Sequence, residues 1–399
     1  MPSAPPPKSR RAVINKKSHA QSDRPYAMKV TIERALLLKS LGHAQSVVEK
    51  RNTIPILSNV KLQAEDRELR LTATDMDLEI IEPVPADVAG AGATTVPAHT
   101  LYDIVRKLPD GAQIELESTS GGERLTLRCG RSRFTLSCLP IEDFPALTSS
   151  ELPFCFKLPA SDLLGLINRT RFAISTEETR YYLNGIYLHA VQHEGVDVLR
   201  AVATDGHRLA RVELPLPPGA AGMPGVIIPR KTVAEVRKVI EEASEDLEIA
   251  LSETQIRFLV GPATLTSKLI DGTFPDYQRV IPEHNDKQLD VVCRDFKQAV
   301  DRVSAISSDR SRAVKLKLAN GTLELSANSP EHGSASEELE VHYQGEPMEI
   351  GFNSTYLLDI TEQIGGDSAR LSMADAASPT VLHELGDRSA IYVLMPMRV

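Results

Sequence analysis

The chain has 399 residues, of which 42% are hydrophobic and 25% charged, the composition of an ordinary globular protein long enough for two to four domains. No apolar run approaches the roughly 18 residues that a membrane-spanning helix needs, and no secretory segment is visible. The net charge of −9 argues, taken alone, against a tight nucleic-acid binder, although an acidic chain can concentrate positive charge on one surface. We therefore expect a soluble, cytoplasmic protein without membrane association.

The first 27 residues differ from the rest, because they hold six basic residues against one acidic residue and almost no large apolar side chains. Such a segment cannot bury a core, so residues 1–27 are predicted to be a disordered basic tail. A transit peptide would also be basic, but it would carry an apolar face that this segment lacks. An alternative is that Met28 is the natural start of the protein.

The chain after the tail follows the order β-α-β-β-β-α-β-β-β. A short strand, Val30–Ile32, precedes a helix whose apolar face carries Leu36, Leu37 and Leu41. A second helix is predicted over Thr100–Leu108. The other strands of this unit are expected at Ser58–Leu62, Glu68–Thr74, Leu78–Glu82, Gln113–Glu117, Glu123–Cys129 and Arg133–Leu139.

The stretch Ala201–Ala210, an apolar strand followed by a Thr-Asp-Gly turn, has echoes on both sides. They are Leu71–Asp75 and Leu325–Asn328, and similar offsets relate Phe144-Pro145 to Phe274-Pro275 and Val96–Ala98 to Ile228–Arg230 and Ile350–Phe352. The second and third parts also open with a strand and an amphipathic helix, at Phe156–Leu158 with Leu163, Leu164 and Ile167, and at Leu289–Val291 with Phe296 and Val300. A period of about 125 residues is domain-sized rather than that of a solenoid. We therefore predict three copies of one domain, at residues 28–152, 153–285 and 286–399.

Each copy offers two helices and about eight strands, so the predicted fold class is α+β. Two helices on one face of a sheet would leave strand edges free to pair with neighbouring copies. The linkers are predicted at Ser149–Pro153 and Pro282–Lys287, and Pro215–Gly219 is predicted to be a loop inside the second copy.

No group of residues indicates a catalytic, metal or cofactor site. Asp75-Met76-Asp77 alternates carboxylates as a metal loop can, but such a strand end is usually a solvated turn. His189 and His193 have the spacing of helical metal ligands, yet the surrounding pattern is that of a hairpin. Asp205-Gly206-His207 has no nucleophile motif with it, and the glycine-rich residues 89–93 predict a flexible loop rather than a phosphate-binding loop. The cysteines lack CxxC spacing and indicate reduced thiols; they are Cys129, Cys138, Cys155 and Cys293.

Two features point to binding. Basic and aromatic residues near predicted helix ends are typical of phosphate contacts, and they are Arg51, Arg106, Lys107, Arg180, Tyr181, Tyr182, Arg230 and Lys231. The apolar run Ile391–Val399 either finishes a core strand or lines an adaptable apolar groove through Met395-Pro396-Met397.

These residues resemble those of a known family, the sliding clamps, which are the beta subunits of bacterial DNA polymerase III. The resemblance extends from Met28 to Val399 and leaves out only the tail. The matching stretches are Arg51–Leu57, Gly130–Phe134, Arg180–Gly185, Val202–Ala210, Ser267–Gly272, Phe274–Tyr277, Glu349–Asn353 and Met395–Arg398.

The resemblance implies a non-enzymatic processivity factor that needs no cofactor. Two copies would form a head-to-tail homodimer, a ring of six domains whose helices surround duplex DNA without reading its sequence. The implied partners are the catalytic subunit of the replicative polymerase, the clamp loader and other clamp-binding repair and replication proteins. Two other hypotheses stay open: an enzyme with an internally repeated fold, for which we find no convergent catalytic set, and a clamp-like paralogue that binds proteins but not DNA.

The resemblance also implies three sets of site residues. The DNA-facing residues would be Arg51, Arg106, Tyr181, Tyr182, Arg230 and Lys231, although Glu177 stands where relatives often carry Gln, and His99-Thr100 replaces a basic pair. A peptide-binding cleft would be lined by Arg180, Leu183, Thr204, Gly206, His207, Arg208, Leu209, Pro275, Arg279, Val280, Tyr356, Val393, Met395, Pro396, Met397 and Arg398. At the dimer interface, Phe134 and Leu136 would meet Ile306 of the partner, and Arg131 and Arg133 would face Glu337, Glu338 and Glu340.

Overall fold

The computed structural model describes residues 27–148, 150–307 and 312–399, so the predicted tail lies outside the described residues except for Ala27. The described residues form six α-helices and 26 strands, and no helix among them is long and apolar enough to cross a membrane. Each predicted domain contains two of these helices, with nine, eight and nine strands in chain order. The predicted α+β class is confirmed.

The first domain is built from strands whose side chains alternate between core and solvent, as the pleat of a strand requires. In Arg124–Cys129, for example, Leu125, Leu127 and Cys129 are buried and Arg128 is exposed. The elements are β1 Lys29–Glu33, α1 Arg34–Val47, β2 Asn59–Glu65, β3 Glu68–Thr74, β4 Leu78–Pro85, β5 Asp87–Gly90, β6 Gly92–Pro97, α2 Ala98–Arg106, β7 Gln113–Ser118, β8 Arg124–Cys129 and β9 Ser132–Ser137.

Both helices of the second domain start directly after a proline, Pro159 and Pro229. Proline holds φ near the helical value and needs no hydrogen-bond acceptor for a backbone N–H, so it suits the start of a helix. The elements are β10 Phe154–Pro159, α3 Ala160–Arg171, β11 Gly185–His193, β12 Val196–Thr204, β13 Arg208–Pro215, β14 Val226–Pro229, α4 Arg230–Ile240, β15 Asp246–Leu251, β16 Gln255–Val260 and β17 Ala263–Lys268.

The third domain repeats this order. Its second helix is capped by Asn353, whose side-chain oxygen accepts the N–H of Thr355 at 2.9 Å. The elements are β18 Lys287–Val292, α5 Cys293–Ser304, β19 Ala313–Ala319, β20 Thr322–Ser329, β21 Gly333–Glu340, β22 His342–Tyr343, β23 Met348–Asn353, α6 Ser354–Thr361, β24 Ser368–Met373, β25 Thr380–Glu384 and β26 Asp387–Leu394.

Two of the four sheets cross domain boundaries. An eight-stranded sheet joins β17 of the second domain to β4 of the first, and a nine-stranded sheet joins β13 of the second domain to β26 of the third. The other two sheets stay within one domain; their outer strands are β5 and β9 in the first domain and β21 and β23 in the third. The chain therefore has two closed domain junctions, and the outer strands β9 and β21 belong to the two domains at its ends.

The helices pack in pairs within each domain, and α1 also contacts α4, so the helices of the first two domains form one layer. Helix α5 buries Phe296, Ala299, Val300 and Val303, the spacing of one helical face. Burial of a side chain such as Phe296 contributes about 1.5–3 kcal/mol to folding.

Three local predictions need correction. Residues 89–93 do not form a loop, because Gly90 pairs with Lys29 in β1 and Gly92 starts β6. A Cβ at Gly90 would lie 2.9 Å from the carbonyl oxygen of Ala27, so the close approach of two strands explains the glycine. Leu36 is 40% exposed rather than on the buried face, because Leu37 and Leu41, four residues apart, occupy that face. Several strands and helices also begin or end one to three residues away from the predicted bounds.

Candidate functional site

An apolar cavity of about 350 Å³ lies where β13 of the second domain pairs with β26 of the third. Leu183, Leu209 and Val393 are buried against it, whereas Val280 and Met395 are 49% and 42% exposed. An apolar concavity with a few polar groups is typical of a ligand or peptide site. The lining residues are Arg180, Tyr182, Leu183, Thr204, Gly206, His207, Arg208, Leu209, Pro275, Asp276, Tyr277, Val280, Val393 and Met395.

One wall of the cavity is the turn between β12 and β13. The Thr204 hydroxyl accepts the N–H of Gly206 at 3.1 Å and donates to the carbonyl oxygen of Arg208 at 2.7 Å. Asp205 Oδ1 accepts the N–H groups of His207 and Arg208 at 2.9 and 3.0 Å. Gly206 has φ +89°, and a Cβ there would lie 2.7 Å from Arg180 Nη1, so both the conformation and the space require glycine. The Thr-Asp-Gly sequence thus builds a fixed turn.

Arg208 fastens this turn to the third domain. Its guanidinium pairs with Asp205 at 3.1 Å and with Asp359 on α6 at 2.5 Å. It also lies between two aromatic rings, with Cζ 4.3 Å from the ring centroid of Tyr356 and 5.0 Å from that of Phe172. Because Arg208 is bound on every side, we assign it to holding the cavity in shape.

The C-terminal residues follow a core strand but do not belong to it. Strand β26 ends at the buried Leu394, and the next residue, Met395, donates its N–H to the carbonyl oxygen of His207 at 2.9 Å. Met397 donates its N–H to the carbonyl oxygen of Gly351 at 2.8 Å. The run Ile391–Val399 was predicted either to finish a core strand or to line an apolar groove. Residues up to Leu394 belong to the core strand, and Met395 lines the cavity.

The structure does not place every predicted cleft residue in the lining. Arg279 pairs with Asp276 at 2.8 Å and its side chain is 85% exposed, while Tyr356 lies behind His207 with the two ring centroids 6.4 Å apart. The other predicted residues outside the lining are Pro396, Met397 and Arg398. Three lining residues were not predicted for the cleft: Tyr182, which was assigned to DNA, and Asp276 and Tyr277. Asp276 and Tyr277 belong to the family-like stretch Phe274–Tyr277, which could have indicated them from the sequence.

The loop that contains Tyr181 carries Glu177 where relatives often carry Gln, and a free carboxylate there would repel phosphates. Glu177 pairs with Arg180 at 2.7 Å, so its charge is neutralised within the loop. The hydrogen bond to Glu177 raises the pKa of Arg180. Tyr181 is 53% exposed and free to contact a ligand, whereas Tyr182 is half-buried.

The other DNA-facing candidates differ in how free their charges are. Arg51 and Arg230 are exposed and form no ion pair among the described residues. Arg106 pairs with Asp103 at 2.8 Å. Lys231 is half-buried and pairs across the domain junction with Glu49 at 2.5 Å and with Asp75 at 2.6 Å. Burial alone would lower the pKa of Lys231, but these hydrogen bonds outweigh it and raise the pKa.

The predicted interface residues lie on or near the outer strands β9 and β21. Phe134 and Leu136 on β9 are half-buried, and Arg131 and Arg133 are exposed. On the other edge, Glu338 and Glu340 of β21 are exposed. Ile306, next to the end of α5, is half-buried. Glu337 is not a free carboxylate, because Arg302 binds it with Nη2 at 2.5 Å and Nε at 3.0 Å.

The residues that resembled metal ligands have other roles. His189 and His193 lie on a hairpin strand, as predicted, and bind the Tyr277 hydroxyl and Glu213 respectively. Asp75 Oδ1 accepts the N–H groups of Asp77 and Leu78 in a tight turn. No group of three or more potential metal ligands occurs in the part of the chain that the structure describes.

Comparisons with known proteins agree with this geometry. Family models for the N-terminal, central and C-terminal domains of the DNA polymerase III beta subunit match residues 28–148, 157–276 and 278–398. The beta sliding clamp of Caulobacter vibrioides is 55% identical over 372 residues, which are 93% of this chain and 100% of the relative. That of Escherichia coli K12 is 40% identical over 375 residues, with the same shares covered.

Solved structures give the same result. A clamp from Caulobacter crescentus, with polyethylene glycol bound to a putative beta-motif tethering region, superposes with a TM-score of 0.91 at 54% identity over 94% of this chain and 100% of that one. A clamp from Bartonella birtlesii bound to griselimycin gives 0.90 at 52% identity over the same shares. This family is the non-catalytic processivity subunit of DNA polymerase III, which contradicts the hypothesis of a repeated-fold enzyme. The chain therefore belongs to the DNA polymerase III beta subunit family, the beta sliding clamps.

Proposed function

We propose that two copies of this chain close head to tail into a ring of six domains, which encircles duplex DNA and tethers the replicative polymerase to it. The observation that carries the proposal is the repetition of one junction. The sheet order shows that junction twice within the chain and leaves its two halves unpaired at the ends.

Every domain contains two half-sheets, each of which can pair with a neighbouring domain through its outer strand. The outer strand of one half-sheet is the domain's last strand, β9, β17 or β26. The outer strand of the other half-sheet follows a tight turn and is β4, β13 or β21. Strand β17 pairs with β4 and β26 pairs with β13, so β9 and β21 remain as the matching halves. Because the halves lie at opposite ends of one chain, a second copy can close both contacts and leave neither β9 nor β21 unpaired.

Backbone contacts support the equivalence of these junctions. Side-chain hydroxyls of Thr74, Thr204 and Ser329 accept the N–H two residues later at 3.0, 3.1 and 3.3 Å, so the three turns share one construction. Lys268 also donates its N–H to the Asp77 carbonyl at 2.8 Å, as Met395 does to His207. We place the same arrangement between the third domain of one copy and the first domain of its partner.

The charges on the two edges are complementary. Exposed Arg131 and Arg133 lie at one edge, and exposed Glu338 and Glu340 lie at the other. Phe134 and Leu136 would cover apolar surface near Ile306 of the partner subunit. Glu337 contributes less than predicted, because Arg302 of its own chain already holds it.

The function also requires DNA contacts that ignore sequence. We assign these to the exposed residues Arg51, Arg106, Tyr181 and Arg230, with Tyr182 and Lys231 as weaker candidates because each is half-buried and engaged within the protein. Contacts with phosphates carry no sequence information, so the ring slides. This role places the protein in the cytoplasm, where bacterial DNA is found.

We assign the cavity to short peptide segments of the polymerase catalytic subunit, the clamp loader and other clamp-binding proteins. The Caulobacter clamp with polyethylene glycol at a putative tethering region supports the assignment by analogy. A motif of one Gln and one or two large apolar residues would bind at micromolar affinity, roughly −8 kcal/mol. Two cavities in a dimer would add avidity while still permitting exchange of partners.

Retention on DNA after loading tests the ring. We expect the loaded protein to stay on closed circular DNA in a gel-filtration column and to leave the same DNA once it is linearised, because topology rather than affinity holds it. Equal loss from both forms would contradict encirclement and favour a paralogue that binds proteins alone. Equal retention on both would indicate ordinary affinity for DNA.

A further inference from the structure

Behind the cavity lies a closed cluster of four rings, those of Tyr187, His189, Phe274 and Tyr277. Tyr187 stacks on Phe274 with ring centroids 4.8 Å apart and on His189 at 4.6 Å. Tyr277 completes the cluster, 6.4 Å from Phe274 and 5.9 Å from His189. Phe274 and Tyr277 are 8% and 6% exposed. The cluster therefore fixes the segment Phe274–Val280 to the sheet of the second domain.

This segment has few other anchors. Pro275, Asp276 and every residue from Gln278 to Val280 are exposed, so Phe274 and Tyr277 are the buried side chains that hold it. The same segment carries Pro275 and Val280 to the cavity. A shift of the Tyr277 ring would consequently move one wall of the cavity.

The position of the Tyr277 ring is set through its hydroxyl. Arg200 Nη1 donates to the hydroxyl oxygen at 2.7 Å, and His189 Nε2 lies 3.0 Å from it. Because Arg200 can only donate, the Tyr277 hydroxyl oxygen accepts from it, and the contact with His189 is a second hydrogen bond that fixes the ring. The Arg200 side chain is 3% exposed and is held by Glu213 Oε1, 2.6 Å from Nη2 and 2.7 Å from Nε.

We propose that Arg200 is a positioning residue for peptide binding, because it holds Tyr277, and with it the wall formed by Pro275 and Val280, without touching the ligand. The inference rests on the proposed function of the cavity. Arg200 does not line the cavity, whereas Tyr277 does. A hydrogen bond from a buried charged donor is worth more than a neutral one, so its loss would loosen the wall measurably.

The test uses the full-length protein and a fluorescein-labelled synthetic peptide that contains one Gln and two large apolar residues. Tyr277→Phe removes only the hydroxyl and keeps the four rings. We expect it to raise the peptide Kd roughly three- to tenfold, with the dimer mass unchanged. Arg200→Met should raise the Kd by a similar factor, and the double variant should bind no more weakly than Arg200→Met alone.

This non-additivity is the decisive readout. If Arg200→Met weakened binding through a general loss of structure, it would also do so in a protein that already lacks the Tyr277 hydroxyl. If the two effects instead multiply, Arg200 acts independently of Tyr277 and the proposal is wrong. If Arg200→Met does not fold, Tyr277→Phe decides alone, and wild-type affinity in that variant overturns the proposal.

Met395→Ala separates this inference from the proposed function, because Met395 lines the cavity directly. Weakened binding in Met395→Ala together with wild-type binding in Tyr277→Phe would leave the peptide site standing and refute the role of Arg200. A wild-type protein that does not bind the peptide would refute both.

Discussion

Equivalent positions at the two junctions within the chain carry different side chains, and this decides which junction offers an apolar cavity. Leu209 in the second domain corresponds to Glu79 in the first, and Met395 corresponds to Lys268, because the same backbone pairings place them. Burial raises the pKa of Glu79 against the opposing effects of a Leu147 backbone hydrogen bond and nearby basic residues. The backbone repeats, but one junction is apolar and the other is charged.

Protonation of His189 should destabilise the fold. Burial, reinforced by the charge of Arg200, lowers the pKa of His189 from 6.5 to about 4, although the charge of Glu213 acts in the opposite direction. The ring of Tyr187 and the hydroxyl of Tyr277 also contact the imidazole. The unfolded chain binds a proton near pH 6.5 and the folded chain only near pH 4, so stability present above pH 6.5 is lost as the pH falls. We expect urea titrations between pH 7 and 4.5 to show this loss, at most about 1 kcal/mol per pH unit given the partial exposure.

The control for this titration is His189→Gln, which keeps a hydrogen-bonding side chain beside Tyr277 but does not titrate. Its unfolding free energy should fall less steeply over the same range. Identical slopes for the variant and the wild type would show that His189 does not carry the effect.

Arg230 and Lys231 should respond differently to removal. Arg230→Ala should lower the slope of log K for DNA against log salt by about 1, because an exposed charge is lost. Lys231→Ala should change that slope less and should lower the melting temperature, because it breaks the link to Glu49 and Asp75. A larger change in slope for Lys231→Ala than for Arg230→Ala would reverse the assignment.

At the scale of elements, the two open edges are the most informative feature. Cys138 donates its N–H to the Glu123 carbonyl, and the β8–β9 register then directs the N–H groups of Phe134 and Leu136 to β8. The N–H of Thr135 points away from β8, towards the open edge. An edge with apolar side chains and unpaired N–H groups needs a partner strand.

Thr135→Pro should weaken the dimer without unfolding the domain, because it removes an N–H from the open edge only. A loss of about 1.5 kcal/mol at each of two equivalent interfaces would raise the dimer Kd roughly 100-fold. Analytical ultracentrifugation over a concentration series measures this constant. Thr135→Ala keeps the N–H and serves as the matched control; equal dimer constants for the two variants would argue against β9 pairing.

The C-terminal residues offer a second test at this scale. Deletion of Met395–Val399 should leave the melting temperature close to wild type, because β26 ends at Leu394 and two backbone hydrogen bonds hold the deleted residues. Binding of the labelled peptide should be lost with Met395. Deletion of Arg398–Val399 alone is the control and should keep most of the affinity. Full affinity in the longer deletion would exclude this part of the cavity from peptide binding.

At the scale of the whole molecule, the proposed interface is heterologous: an edge of one kind meets an edge of the other kind. Ser336 on β21 plays the same part as Thr135 on β9. The N–H of Val341 donates to the Gly321 carbonyl, and in the β20–β21 register that follows the N–H of Ser336 points away from β20, towards the open edge. A Pro at either position damages both contacts of a homodimer. A mixed dimer of the two variants would keep one contact entirely intact.

The second Pro in one contact costs less than the first, because the strand pairing there is already broken. Mixing Thr135→Pro and Ser336→Pro proteins, at a concentration at which each alone is monomeric, should therefore restore a dimer of about twice the 43.7 kDa chain mass in light scattering. The mixed dimer should not be retained on circular DNA, because its ring is open at one contact. Two monomeric variants that stay monomeric on mixing would indicate an interface in which each patch meets its own copy.

The repeat, the α+β class and the turn at Thr204–Arg208 could be predicted from the sequence, because these features depend on neighbours along the chain. Most of the cavity lining was predicted through family resemblance rather than from pattern. Three ion-pair and hydrogen-bond contacts became visible in the folded chain alone: Arg302 pairs with Glu337, Lys231 pairs with Asp75, and Arg200 donates to the Tyr277 hydroxyl. Each of these pairs joins residues far apart in the chain, and local periodicity carries no information about which distant charge or hydroxyl a folded side chain will meet.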